Sequence, residues 1–427
     1  NFLDQIPALL KVALSFALIL GLNRLKAPLS GALLIGAIAL GLGMGLSPAG
    51  LLAAGGRSLV EPETVALLII VGVILALSRI LADSGQLDRI VSSFTSLVAD
   101  ARITAMVMPA LIGLLPMPGG ALFSAPMVDS ACRREKVSPE IKTVVNYWFR
   151  HIWEYWWPLY PGVVLAVSLL GVQAWRFMLV QFPLTLISVG AGLVFILPLL
   201  PRNHGRAPAD PAPVRRWAEF RREVRPITLV VLALPAVWLF ELVTRVSLPR
   251  LTSVFLGLGL CLVWVIVQNR PRPGAVVKAA LNRSTGALIL VILGIMVFKG
   301  VLIESRAVAG IQAEMVRYHI PPLAVILIMP FLSGLITGVA VGFVGASFPL
   351  IVPLLAGREG LDLLAHASLA YAFGYMGMML SPVHVCFLVT KDYFAARLPG
   401  SYRYLFGPAA VVMAAAFLLF GLLELAA

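Results

Sequence analysis

Nine consecutive residues, Arg150-His151-Ile152-Trp153-Glu154-Tyr155-Trp156-Trp157-Pro158, concentrate charge and aromatic rings inside an otherwise apolar run. A charged side chain at the centre of a membrane helix costs about 2.5–3.5 kcal/mol on insertion scales, so it normally faces a cavity and has a task. On a helix His151 and Glu154 are i and i+3 and share a face. A buried carboxyl group holds its proton more tightly, and histidine changes charge near neutral pH. The pair therefore suits proton coupling. The planar fork of Arg150 suits an anionic substrate. The structural alternative has Arg150 snorkelling to the cytoplasmic face and Glu154 in an ion pair. Pro158 must free one backbone carbonyl upstream of it.

A second polar stretch runs from Tyr371 to His384, with Gly374, Gly377, Ser381 and Pro382 and no acid. Charge from one half of the chain and small residues from the other imply an asymmetric site. Tyr375 and Ser381 can donate hydrogen bonds to substrate. His384 is either a second titrating group or a structural histidine. Two glycine-rich turns add backbone N–H groups, which attract anions at helix N-termini. Pro118, Gly119 and Gly120 form the first, and Thr337, Gly338 and Gly342 the second. Glycine permits close approach of backbone to ligand, although small residues also serve helix packing. Ser124, Ser347 and Asp129 are weaker candidates, and a surface acid is the simpler reading of Asp129. Lys299 reads as a paired or snorkelling lysine. Trp148, Trp153, Trp156 and Trp157 either line a cavity or sit in the interfacial belt, the belt being the better reading for at least two of them.

These residues must be positioned by membrane helices. Of 427 residues, 60% are hydrophobic and 12% charged. Soluble proteins carry about 45–50% apolar and about 25% charged residues. A soluble enzyme, a secreted disulfide scaffold and a disordered chain are thereby excluded. The chain reads as one all-α polytopic membrane domain in a lipid bilayer. Ten apolar runs near 6–23, 29–46, 62–82, 144–170, 175–200, 227–245, 250–269, 284–304, 364–390 and 404–425 are read as spans. The first is read as a retained helix rather than a signal peptide. Two further stretches, 103–131 and 321–355, are broken by Pro116-Met117-Pro118-Gly119-Gly120 and by Gly334, Gly338, Gly342 and Gly345. Broken backbone must be buried in protein or line a wet cavity. Both are read as re-entrant hairpins, with a kinked span or two short spans as the alternative.

The net charge of +13 does not indicate nucleic acid, because the basic residues cluster in short loops that set topology. Placing the loop 201–226 in the cytoplasm puts twenty-three Lys and Arg on that side and seven on the other, with Lys11, Arg150 and Lys299 inside spans. Both termini then lie on the extracytoplasmic side. Cys132, Cys261 and Cys386 form no pair pattern, so neither a disulfide framework nor a zinc site is indicated, and no metal or cofactor is expected.

The halves resemble each other at a shift near 221 residues. Leu81-Ala82-Asp83-Ser84 aligns with Leu302-Ile303-Glu304-Ser305, Met108-Pro109 with Met329-Pro330, and Gly113 with Gly334. After a small insertion, Tyr147 aligns with Tyr371, Phe149 with Phe373 and Pro158 with Pro382. Residues 1–200 and 227–427 are read as repeats joined by a Pro-rich basic linker, 201–226. Five spans per half invert the second relative to the first. Paired discontinuous elements in inverted halves point to a transporter binding site.

Leu115-Pro116-Met117-Pro118-Gly119-Gly120, the run His151 to Pro161, and Gly334 to Pro349 resemble the ion-transporter superfamily of citrate, gluconate, dicarboxylate and arsenite permeases. More closely, they resemble an uncharacterised bacterial and archaeal integral-membrane family within it. The resemblance implies a homodimeric elevator transporter in the inner (cytoplasmic) membrane. Its scaffold would be the first three spans of each half, and its mobile domain each hairpin with the last two spans. Sodium-coupled dicarboxylate relatives carry Ser-Asn-Thr at both tips. This chain has Pro-Met-Pro-Gly-Gly and Thr337-Gly338 instead.

The resulting expectation is a secondary active transporter of a small organic anion, with a carboxylate favoured. Glu154 with His151 favours protons as the coupling ion, with sodium as the alternative. An exporter of an inorganic or toxic anion, a membrane-embedded enzyme using Glu154 and His151, and a passive channel are further readings. Inverted hairpins suit alternating access and are superfluous in an enzyme. The sequence contains no GxxxxGK[ST], HExxH, GxSxG or TVGYG-like motif.

Overall fold

A computed structural model describes residues 6–95, 100–117, 120–133, 136–201, 213–271, 274, 278 and 282–427. Every regular element among the described residues is helical. The chain opens with α1 (Ala8–Arg24), α2 (Leu29–Gly43), α3 (Pro48–Val60), α4 (Pro62–Asp83) and α5 (Gln86–Thr95). Then follow α6 (Ala101–Gly113), α7 (Ala121–Ala131), α8 (Pro139–Arg150), α9 (Pro161–Leu170) and α10 (Ala174–Phe195). The second half holds α11 (Pro213–Thr244), α12 (Thr252–Asn269), α13 (Arg283–Glu304), α14 (Ala307–Arg317) and α15 (Pro322–Thr337). It closes with α16 (Ala340–Ile351), α17 (Gly360–Met379), α18 (Val385–Phe394) and α19 (Leu398–Ala426).

Six stretches are long and apolar enough to cross a bilayer: Pro62–Asp83, Ala174–Leu199, Trp217–Thr244, Thr252–Asn269, Arg283–Glu304 and Leu398–Ala426. Leu239, Phe240 and Val243 on α11 and Leu418 and Leu422 on α19 are exposed, which places lipid against these helices. The other four expected spans differ from a full crossing. Helices α1 and α2 have 17 and 15 residues, short of the roughly 20 a span needs. The runs at 144–170 and 364–390 are not continuous helices. Each is two helices separated by an unwound segment, α8 and α9 in one case and α17 and α18 in the other.

Proline explains both interruptions. Pro158 and Pro382 have no N–H and clash with the carbonyl four residues earlier, at Glu154 and Met378. Helix α8 stops at Arg150, and α9 restarts with Pro161 at its first position, where a missing N–H costs nothing. The stretches 103–131 and 321–355 each form a helix pair that packs against itself, α6 with α7 and α15 with α16. Gly338 ends α15 in the left-handed region, φ +63°.

Helix starts recur at constant spacing. Helices α4, α5 and α6 begin at 62, 86 and 101, and α13, α14 and α15 begin 221 residues later at 283, 307 and 322. Helices α9 and α10 begin at 161 and 174, and α18 and α19 begin 224 later at 385 and 398. The linker 201–226 is helical in its second half, from Pro213, and 202–212 lie outside the described residues. Glu223 is buried on α11 and accepts from Arg89 Nε of α5 at 3.0 Å, tying α11 to α5.

Candidate functional site

Nearly all of the sequence's unusual polar residues meet where the two unwound segments cross beneath the hairpin turns. The first segment's carbonyls are claimed one by one. Tyr371 Oη donates to Glu154 O at 3.0 Å, capping the carbonyl that Pro158 frees. Tyr375 Oη donates to His151 O at 2.5 Å, and Thr185 Oγ1 to Ile152 O at 2.6 Å. The first hairpin's last carbonyls are claimed by the segment's own rings. Trp153 Nε1 donates to Ala110 O, Trp157 Nε1 to Leu114 O, and Tyr160 Oη to Gly113 O. A buried carbonyl left unpaired costs about 1–3 kcal/mol, so this aromatic set is what permits broken backbone inside the protein.

This corrects the reading of the tryptophans. Trp148, Trp156 and Trp157 are buried, and Trp153 is half-buried. Trp148 Nε1 donates to Ser188 O at 2.9 Å and Trp156 Nε1 to Thr185 Oγ1 at 3.0 Å. All four serve protein acceptors rather than an interfacial belt.

Similar contacts appear twice, at positions related by a spacing of 221–225 residues. Tyr371 donates to Glu154 O in the first break, and Tyr147 donates to Met379 O in the second, each at 3.0 Å. Trp157 donates to Leu114 O at 2.8 Å, and Ser381 Oγ donates to Leu335 O at 2.7 Å. A Cβ on Gly113 would strike the Arg150 carbonyl, and one on Gly334 would strike the Gly374 carbonyl. Helix α7 packs on α18 and α16 packs on α9, so each hairpin's second helix meets the other half's broken helix.

Charge is not duplicated. Arg150 is 2% exposed. Its Nη2 donates to Met117 O at 3.1 Å, while Nε and Nη1 have no hydrogen-bond partner among the described residues. A Cβ at Gly120 would strike the guanidinium, so the glycine lets the hairpin turn sit directly against it. Arg150 does not snorkel outward. Where the first half has Arg150, the second has Gly374.

His151 lies just past the end of α8 rather than within a helix, because α8 has ended. It still stands near Glu154, with Nε2 3.8 Å from Oε1. Both side chains are buried. His384 comes from the second break, its ring 4.9 Å from that of His151.

The remaining expected site residues divide by location. Pro118 and Gly119 lie outside the described residues. Gly338 packs against the backbone of His384, 2.9 Å from its nitrogen to an added Cβ, which seats the second turn on the second break. Thr337 Oγ1 donates to Ser333 O at 2.8 Å, and a Cβ on Gly342 would meet Thr337. Ser124 and Ser347 donate to carbonyls of their own helices, Ala121 O and Phe343 O. Ser381 and Tyr375 likewise spend their protons on carbonyls of the protein. Asp129 pairs with Lys142 at 2.7 Å, and Lys299 pairs with Glu63 at 2.7 Å. Sequence reasoning missed Cys386, Tyr160 and Asn146. Asn146 Nδ2 donates to Ala121 O and Thr390 Oγ1, and its Oδ1 has no partner among the described residues. Cys386 stands two residues after His384, a spacing that alone carries no signal. No water-sized void lies among Trp148, His151, Tyr155, Ser188 and Tyr375.

Apolar helices, broken helices and a buried polar crossing define an all-helical integral membrane protein. The chain belongs to the family described as Protein of unknown function (DUF401), whose model matches residues 8–207 and 225–423. No curated protein matches it.

Proposed function

We propose that this protein is a secondary active transporter of a small organic anion, a carboxylate being the favoured class. The observation that carries the reading is the Arg150 guanidinium. It is buried beneath the first hairpin turn, and two of its nitrogens lack partners among the described residues. A buried guanidinium without its full set of acceptors is costly, and a carboxylate would meet its planar fork. The N-termini of α7 and α9 begin near the same crossing and add favourable dipoles. Glu154 and His151 are the proposed proton-coupling pair.

The recurring helix starts and paired carbonyl contacts support an inverted-repeat architecture. Alternating access would be an elevator movement of the hairpins and broken helices against a scaffold built on α1–α4 and α11–α13. Contacts between loops agree with the charge-derived topology. Gln173 Nε2 donates to Leu248 O, both on the proposed outer side, and Glu140 meets Arg397, both on the cytoplasmic side. In this reading the protein works in a bacterial or archaeal inner membrane, as a homodimer.

Solid-supported-membrane currents from proteoliposomes test the proposal. Carboxylates, sugar acids and inorganic anions are applied at two pH values, with and without sodium. A saturable current that grows at acidic pH without sodium is expected. Glu154→Gln should abolish proton-driven flux and spare anion exchange. Equal loss of both would move Glu154 from coupling to binding or structure. A strictly sodium-dependent current would remove the coupling role of Glu154 and His151. A non-saturating conductance would overturn carrier transport altogether.

A further inference from the structure

The two breaks bring together a set of metal ligands, of which the transport proposal uses only His151. One ring nitrogen from each of His151 and His384 and the Cys386 Sγ all lie within 4.8 Å of one another. His151 comes from the first break, and His384 and Cys386 from the second. In sequence they are separated by more than two hundred residues.

Hydrogen bonds fix both rings in the tautomer that metal binding requires. His151 Nδ1 lies 2.6 Å from the Tyr147 carbonyl, which only accepts, so Nδ1 carries the proton and Nε2 the lone pair. Tyr147 Oη donates to Met379 O at 3.0 Å and lies 3.1 Å from His384 Nδ1, where its oxygen is free to accept. Met378 O lies 3.3 Å from the same nitrogen and also only accepts. His384 therefore also carries its proton on Nδ1. Histidine ligands of metal sites are oriented in this way, with the non-ligating N–H given to a carbonyl or similar acceptor. Tyr147 orients both rings, through its carbonyl on one and its hydroxyl on the other.

We propose that His151 Nε2, His384 Nε2 and Cys386 Sγ form a binding site for a Zn2+-class cation. Two imidazoles and a thiolate are a zinc ligand set, and Glu154 Oε1 lies 3.8 Å from His151 Nε2, beside the three-ligand cluster rather than in it. On binding, the Cys386 thiol proton leaves to bulk water and the metal takes the sulfur lone pair, so binding tightens as pH rises. Arg150 and Tyr160 also face this cluster, and the thiolate and the Glu154 carboxylate offset the charge that Arg150 and the cation bring together. Cys386 is half-buried at the start of α18. An occupied site would clamp the two breaks together and take His151 away from Glu154. On the transport reading, Zn2+ is then an inhibitor of coupled flux.

The test uses the full-length protein in detergent or nanodiscs, titrated with Co2+ as a spectroscopic probe. One saturable Co2+ per chain is expected, with a near-ultraviolet thiolate-to-Co2+ charge-transfer band and intense tetrahedral visible bands, both erased by Zn2+. Cys386→Ser should remove the charge-transfer band, and His384→Ala should weaken Co2+ binding at least tenfold. Cys261→Ala, in the buried core of α12, should change nothing. Absence of the band, or its survival in Cys386→Ser, overturns the site. If His384→Ala does not fold, the near-isosteric Cys386→Ser decides alone. The band requires no anion flux, so failure of the metal site and failure of the transport proposal are read separately.

Discussion

Between α8 and α9 the chain unwinds through His151, Glu154 and three tryptophans, directly after a buried arginine. Between α17 and α18 it unwinds through Ser381, Pro382 and His384, after Gly374 and Tyr375. Both interruptions are made by a proline, and both have a tyrosine from the opposite half on a freed or neighbouring carbonyl. Both seat a side-chain donor on the carbonyl one residue past the matching hairpin glycine. The backbone construction is thus held in common, while the charge sits on one side only. A broken membrane helix needs its carbonyls satisfied whatever the protein does. A single buried guanidinium has no such architectural necessity, and this asymmetry is what supports the proposed anion-binding role of Arg150.

The largest effect should come from removing that asymmetry. Arg150→Gln is expected to lower saturable anion flux at least about 100-fold, equivalent to about 2.8 kcal/mol. Arg150→Lys should recover little, because an ammonium group lacks the planar fork. Unchanged flux in Arg150→Gln, in protein that elutes normally on size exclusion, would make the arginine a packing element and return the two breaks to equivalence. Next in size are the reciprocal tyrosines. Tyr147→Phe and Tyr371→Phe should each cost about 1–3 kcal/mol by leaving a buried carbonyl unpaired. Thermal unfolding in detergent measures both. Matching losses sharpen the comparison, whereas a loss confined to one variant would show that the likeness of the breaks stops short of energetics. The smallest effect is expected from Ser381→Ala, about 1 kcal/mol for one neutral hydrogen bond. A loss in Ser381→Ala as large as that in Tyr371→Phe would place the hairpin contact, rather than the tyrosine, at the centre of the second break.

Several parts of this arrangement were legible from residues alone. The periodic apolar runs gave a membrane protein, because lipid admits only backbone that satisfies itself. The helix pairs at 103–131 and 321–355 followed from Pro and Gly placed mid-run. Matched pairs such as Tyr147 with Tyr371 and Pro158 with Pro382 anticipated the repeated contacts. The sequence also pointed to a freed carbonyl near Pro158, and Tyr371 is the group that takes it. The reading failed where apolar content was mistaken for helical continuity. Apolar residues at the two ends of 144–170 and 364–390 suggested single spans, yet apolar content does not register one missing N–H. The tryptophans were misplaced for a related reason. An indole's preference for an interface and its use as a buried donor look identical in composition.

By itself, the sequence determined that this chain lives in a bilayer, that Pro158 frees a backbone carbonyl, and that arginine, histidine and glutamate lie inside it. These properties depend on local chemistry: hydrophobic transfer, a missing amide proton and the cost of buried charge. Only the tertiary structure decided that the two breaks cross and that Gly120 closes over Arg150. It also brought His151, more than two hundred residues away in the chain, beside His384 and Cys386. Such contacts depend on which helix faces pack together, and packing between distant segments is set by the shape of the whole fold rather than by any local pattern.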